Sequence, residues 1–306
     1  MQARLMAHRP LVAGAAVLVL LGVAALLFAL LRPAPEPPVA APSSTSATPP
    51  TTTVTGTTAT TATTGTSAPP ATTTPATTRT TTQPPPEVPF PESLRGQDVS
   101  RLPTDRKVVA LTFDAGANAA GLPSILRTLA DQRVRATFFL TGNFAQADPG
   151  DVQAILAAGH RVGNHSMTHP YLTRLPDSEI AGELTRAEQV LMRTGADPRP
   201  LFRFPYGDRD ARTIAAVNAQ GYAAVRWTVD TLGWQGTTGG GSARRVVDRT
   251  IGALQPGEIV LMHIGSHPED GSTLDADALP EVITAMRARG YEFVTLDALV
   301  GDGPAG

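Results

Sequence analysis

Apolar and polar positions divide the chain into three regimes. Positions 11–31 are apolar or glycine throughout. That is about 20 residues, which as helix matches the ~30 Å hydrocarbon core of a bilayer. Arg4, His8 and Arg9 precede the run and Arg32 alone follows it, a positive excess that predicts a cytoplasmic N-terminus and an exported remainder. The first expectation is therefore a membrane anchor over 1–32, single-pass, with the rest extracytoplasmic. Secretion after signal-peptide cleavage is the alternative, but the run is long for a signal core and no small-x-small site ends it. Positions 33–98 hold Thr, Pro, Ser and Ala with almost no large apolar side chain. Such a segment cannot bury enough surface to offset ordering entropy, so it reads as a disordered Thr/Pro-rich linker.

A third regime, 99–306, has the pattern of a folded domain. Strand-like apolar runs fall at 107–113, 136–140, 161–163, 201–204, 223–229, 259–262 and 292–296. Helical spacing falls at 122–129, 152–158, 178–192, 211–219, 243–253 and 279–289, the third of these with Asp177 as its expected N-cap. Strand and helix alternate about seven times. That predicts a parallel α/β sheet, and at this length an irregular or incomplete (β/α) barrel, with a flat doubly wound sheet as runner-up.

Composition removes several functions. The chain has 25 Lys and Arg against 27 Asp and Glu, a net charge of -2, and no dense basic stripe, so no nucleic-acid partner is expected. There is no cysteine, hence no disulfide framework, thiolate metal site or cysteine nucleophile. The first strand is followed by Asp114-Ala115-Gly116-Ala117-Asn118, which is not a dinucleotide fingerprint.

Candidate chemistry centres on Asn164-His165-Ser166-Met167-Thr168-His169. Two imidazoles four apart would share a face on one helical turn and could reach one ion. In a barrel, function gathers at the C-terminal ends of strands. Asp114, Arg203, Tyr206, Asp230, Trp234 and His263 all stand at or just beyond such ends. Each alone has an ordinary explanation as cap, solvated charge or core; together on one rim they point to a metal-assisted hydrolase. His160 reads as structural, and Asp208, Asp210, Asp275 and Asp277 read as turn and cap residues.

In order along the chain stand Thr112-Phe113-Asp114, His165-Ser166-Met167-Thr168-His169, Arg203-Phe204-Pro205-Tyr206-Gly207, Asp230-Thr231-Leu232-Gly233-Trp234 and Leu261-Met262-His263. With this set, the stretch from about Arg106 to Val300 resembles the polysaccharide deacetylases of carbohydrate esterase family four. The resemblance implies a hydrolase of amide bonds that removes N-acetyl groups from a polysaccharide, peptidoglycan or chitin-like. It implies a divalent metal, Zn²⁺ or Co²⁺, on His165 and His169, with Asp114 as base and Arg203 holding it. The Tyr206 backbone N–H would meet the oxyanion, His263 would be the acid with Asp230 raising its pKa, and Trp234 and Leu261 would wall the acetyl methyl.

Two departures stand out. Where the family carries a second aspartate that ligates the metal, this chain has Ala115, and Gly233 replaces an acidic or polar residue before Trp234. Asn118 could fill the third ligand position, water could, or the metal could be lost. Ala115 makes a non-catalytic glycan-binding domain an alternative, and since the same site could cleave an ester, an O-acetyl esterase is another.

Overall fold

The structure, a computed structural model, describes residues 90–301. The expected anchor and most of the linker lie outside the described residues. Among the described residues no helix is long and apolar enough to cross a membrane. Residues 90–98, which the sequence places in the linker, belong to the fold. Leu94 is buried, the Gly96 amide donates to Asn218 Oδ1 at 2.7 Å, and Asp98 pairs with Arg209.

Nine strands form one parallel sheet. They are β1 (Asp98–Val99), β2 (Val108–Ala115), β3 (Thr137–Leu140), β4 (Arg161–Asn164), β5 (Leu201–Phe202), β6 (Ala223–Val225), β7 (Val229–Asp230), β8 (Glu258–His263) and β9 (Glu292–Phe293). The order is β1-β6-β5-β4-β3-β2-β8-β7, with β9 added beside the start of β2. The helices between them are α1 (Leu122–Asp131), α2 (Gly142–Ala147), α3 (Pro149–Ala157), α4 (Asp177–Arg193), α5 (Ala211–Ala219), α6 (Ala243–Gly252) and α7 (Leu274–Arg287). This is the incomplete (β/α) barrel that the alternation predicts.

Every residue of β2 is buried, as expected for a central parallel strand covered on both faces. Period-two alternation assigns its two faces. Val109, Leu111 and Phe113 join Val260, Met262 and Phe138 in the core shared with the helices. Val108 and Ala110 join Phe139, Leu201, Val225 and Ile259 in a separate inner cluster. Continued toward the C-terminal ends, the inner face changes from apolar to polar: Val108 and Ala110 give way to Thr112 and Asp114, Leu201 to Arg203, Ile259 and Leu261 to His263. The register sets Asp114 directly opposite His263 on the neighbouring strand.

Three differences from the sequence expectations matter. The expected strand 223–229 is two strands, because Arg226–Thr228 leave the ladder. The Arg226 and Thr228 amides still donate to the carbonyls of Val99 and Ile259, and Arg203 adds donors of its own, its Nη2 to the Arg226 carbonyl at 2.9 Å and its Nε toward that of Val225 at 3.4 Å. Helix α4 begins at Asp177 itself, after Pro176, so Asp177 lies in the first turn and makes no side-chain cap bond. Helix α7 begins at Leu274, five residues before the expected start, and runs through Pro280. That additional turn carries Asp275 inward, where it is buried.

Candidate active site

Asp114 and Arg203 form the buried base of the site. Arg203 is fully buried, and its Nη1 donates to Asp114 Oδ1 at 2.7 Å and to Thr112 Oγ1 at 2.8 Å. Its guanidinium lies 4.1 Å above the Phe139 ring. Burial by itself would raise the Asp114 pKa. The Arg203 charge first, then His165 and His263, more than offset it and hold the carboxyl below its usual range. Asp114 is thus an ionised carboxylate with Oδ1 committed to Arg203 and Oδ2 facing His165 Nε2 at 3.5 Å.

The histidine pair is built by a loop, not the helical turn that the spacing suggested. Ser166 and His169 both take left-handed backbone conformations, with φ of 68° and 61°. The turn is closed from inside, Ser166 N donating to Asn164 Oδ1 at 2.9 Å and His169 N to Ser166 Oγ at 3.0 Å. Glu183 of α4 closes it from outside, its Oε2 accepting the Met167 and Thr168 amides at 3.0 and 2.8 Å. The rings end 4.8 Å apart, centroid to centroid. His165 Nδ1 lies 2.9 Å from the Arg203 carbonyl; a carbonyl only accepts, so Nδ1 carries the proton and Nε2 keeps its lone pair. Burial lowers the pKa of both rings, that of His169 to about 4. Both are neutral at neutral pH, as ligation requires.

The donor set stops there. Ala115 lines the pocket with a methyl group. Asn118, the candidate third donor, is turned away: its Oδ1 accepts the Ser266 and Ala120 amides at 2.9 and 3.1 Å. Among the described residues no three His, Cys, Asp or Glu side chains are arranged to hold an ion. Catalytic zinc centres use three protein ligands, so these residues do not complete one.

His263 has a different partner from the one the sequence suggested. Asp230 Oδ1 accepts the Leu232 amide at 2.9 Å and its Oδ2 accepts Trp234 Nε1 at 3.2 Å, so it holds the Trp234 loop. The carboxylate beside His263 is Asp275. Its Oδ2 accepts the His263 amide at 2.8 Å and lies 3.7 Å from Nδ1, an ion-pair distance too long for a hydrogen bond. Its Oδ1 accepts Thr231 Oγ1 at 2.6 Å. Burial alone would lower the His263 pKa; Asp275, then the charges of Asp114 and Asp230, outweigh it and the pKa is raised. Gly233 makes room for this arrangement, since a Cβ there would overlap Asp275 Oδ1 and Cγ. The one sequence signal for Asp275 was thus a neighbour's missing side chain.

These groups surround a pocket of about 650 Å³, lined by Asp114, His165, His169, Tyr206, Asp230, Trp234, Leu261 and His263, with Phe204 and Trp227 also in its wall. Tyr206 sits at its mouth, 58% exposed, with a left-handed backbone (φ 58°) that is strained for a non-glycine residue. One carboxylate held ionised and one imidazole whose pKa is raised thus face a common cavity from adjacent strands. This arrangement can take a proton on one side of a bond and give one on the other.

The profile of the polysaccharide deacetylase family matches residues 101–225. A peptidoglycan-N-acetylglucosamine deacetylase of Bacillus cereus is 33% identical over 197 residues, 64% of this chain and 70% of that protein. A chitooligosaccharide deacetylase of a Bradyrhizobium species is 36% identical over 200 residues, 62% of this chain and 90% of that one. Among solved structures, a pseudoenzyme of carbohydrate esterase family four from Bacillus anthracis superposes with a TM-score of 0.60 at 27% identity, covering 66% of this chain and 68% of that one.

Proposed function

Because the chain belongs to the polysaccharide deacetylase family, hydrolases of amide bonds, we propose that it removes N-acetyl groups from a cell-wall polysaccharide, peptidoglycan first and chitin-like chains second. The observation that carries this reading is the cross-strand pair: Asp114 held ionised by Arg203, opposite His263, whose pKa is raised by Asp275 beside it.

In the proposed reaction Asp114 Oδ2, the oxygen Arg203 leaves free, takes a proton from water. The water oxygen bonds to the acetyl carbonyl carbon. His263 gives its proton to the amide nitrogen as the carbon–nitrogen bond breaks, leaving acetate and a free amine on the sugar. Trp234 and Leu261 shape the wall against the acetyl methyl, and the Tyr206 backbone amide is the candidate donor to the developing oxyanion. Family members generally depend on a divalent metal. A cation such as Zn²⁺ or Co²⁺ on His165 and His169 would here have two protein ligands, so weak, easily chelated binding is expected. A domain carried outside the cell by an anchor at 1–32 would meet wall glycan directly; fractionation of the native protein into membrane, wall and medium tests that placement.

The decisive experiment is acetate release from N-acetylglucosamine oligomers and from peptidoglycan, with and without Zn²⁺ or Co²⁺. Turnover abolished by Asp114→Asn supports the reading; turnover indifferent to Asp114→Asn and His263→Ala refutes it. A second reading, a glycan-binding domain without turnover, is favoured by Ala115 and by the likeness to a pseudoenzyme. Glycan binding by calorimetry with no acetate released would select it.

A further inference from the structure

The rim beyond the pocket carries a stack of side chains that this reaction does not use. Tyr206 meets the His169 ring edge-on at 4.4 Å. Tyr171 also stacks on Tyr206, 4.2 Å away and 14° from parallel. The guanidinium of Arg174 lies 4.2 Å from the Tyr171 centroid. Tyr206 and Arg174 thus both lie against the Tyr171 ring. The result is a column running outward from the histidine pair and ending in a cation.

The column is fixed in place. Thr173, between Tyr171 and Arg174, donates from its amide and from Oγ1 to Asp208, both at 2.9 Å. Asp208 follows Tyr206-Gly207, so the two halves of the stack are tied to each other. Arg212 also binds the Thr173 and Leu175 carbonyls, each at 3.1 Å. Asp208 is thus engaged by Thr173, and Asp177 by Arg212. Arg174 is exposed and, among the described residues, has no carboxylate partner. Its guanidinium makes no hydrogen bond or ion pair among the described residues, so its N–H groups are open to a carboxylate in bidentate geometry.

We propose that Tyr206, Tyr171 and Arg174 form a subsite beside the catalytic pocket that takes a carboxylate on the sugar adjoining the N-acetyl unit, so that the substrate is an acidic glycan rather than a neutral one. This rests on the hydrolase reading and adds to it the class of glycan. The column orders the cation before substrate arrives, which reduces the entropy cost of capturing the anion.

The test compares two tetrasaccharides on the full chain. One is the neutral N-acetylglucosamine tetramer; the other alternates N-acetylglucosamine with N-acetylmuramic acid, whose lactyl ether carries a carboxylate. The readout is the ratio of kcat/KM for the acidic to the neutral substrate. Arg174→Gln is expected to lower that ratio about tenfold, equivalent to about 1.4 kcal/mol. Methyl-esterifying the carboxylate should lower the wild-type ratio by a similar factor. A ratio unchanged by both overturns the subsite while leaving the hydrolase reading intact. If the wild type releases acetate from neither glycan, the hydrolase reading fails instead. Calorimetric Kd values for the acidic tetramer then decide the subsite: tenfold weaker binding by Arg174→Gln supports it, and equal binding overturns it.

Discussion

Replacing Asp275 by Asn keeps the shape of the side chain and removes the charge beside His263. At 3.7 Å, two unit charges in an effective dielectric of ~20 interact by about 4 kcal/mol. Not all of this is lost, since Asp114 and Asp230 also act on the ring and Asn still accepts one bond. A general acid contributes roughly 10²–10⁴ in rate, and each 1.4 kcal/mol is about a factor of ten. We expect kcat to fall roughly 10²-fold, with KM little changed. The pH profile is more diagnostic. His263 must be protonated to act, and a raised pKa keeps it protonated to higher pH. Without Asp275 the pKa drops, so the alkaline limb of kcat/KM moves to lower pH. The acid limb follows Asp114, whose pKa is lowered, and stays where it was. The assay is acetate release across pH, accompanied by NMR titration of the His263 ring. A folded variant with an unmoved alkaline limb and an unmoved ring pKa would refute the role given to Asp275.

Gly233→Ala drives a methyl into the Asp275 carboxylate, so it should lower activity through the same limb shift and cost about 1–3 kcal/mol in stability, read by denaturant unfolding. Arg203→Met leaves Asp114 buried without its partner, a loss of about 3–5 kcal/mol, and at this domain size Tm should fall by roughly 10 °C in calorimetry. The Asp114 pKa is depressed by folding, so its contribution to stability is present above the unfolded carboxylate pKa, about 3.9, and is lost as pH falls through the folded value; Asp114→Asn should flatten the acid side of the wild-type stability profile. Ala115→Asp places a carboxylate beside the imidazole pair and should tighten Zn²⁺ binding at least tenfold by calorimetry, whatever its effect on turnover.

The strands and the residues at their ends were legible because buried parallel strands leave continuous apolar runs, and a polar residue closing such a run stands out. Asp114, Arg203 and His263 were found that way, and His165 by its spacing from His169. Local pattern was a poorer guide where tertiary contacts decide. His165 and His169 meet across a loop whose left-handed turns are held by Glu183, sixteen residues from Met167. Asp275 looked like a cap because helical spacing was read from 279 onward, whereas the helix begins at Leu274. Asp230 carried the right chemistry but is turned to Trp234, and Asn118 is spent on the Ser266 loop; spacing gives no sign of which way either side chain faces.

Arg203 joins two matters usually kept apart. Its guanidinium ties down the carbonyls of the short break between β6 and β7, and the same group keeps the reactive carboxylate charged. Fraying at that seam therefore silences the enzyme before the remainder melts. Hydrogen exchange at 225–229 should accelerate in step with inactivation on mild heating, ahead of the global transition. Selection on turnover and selection on cohesion would thus bear on a single codon.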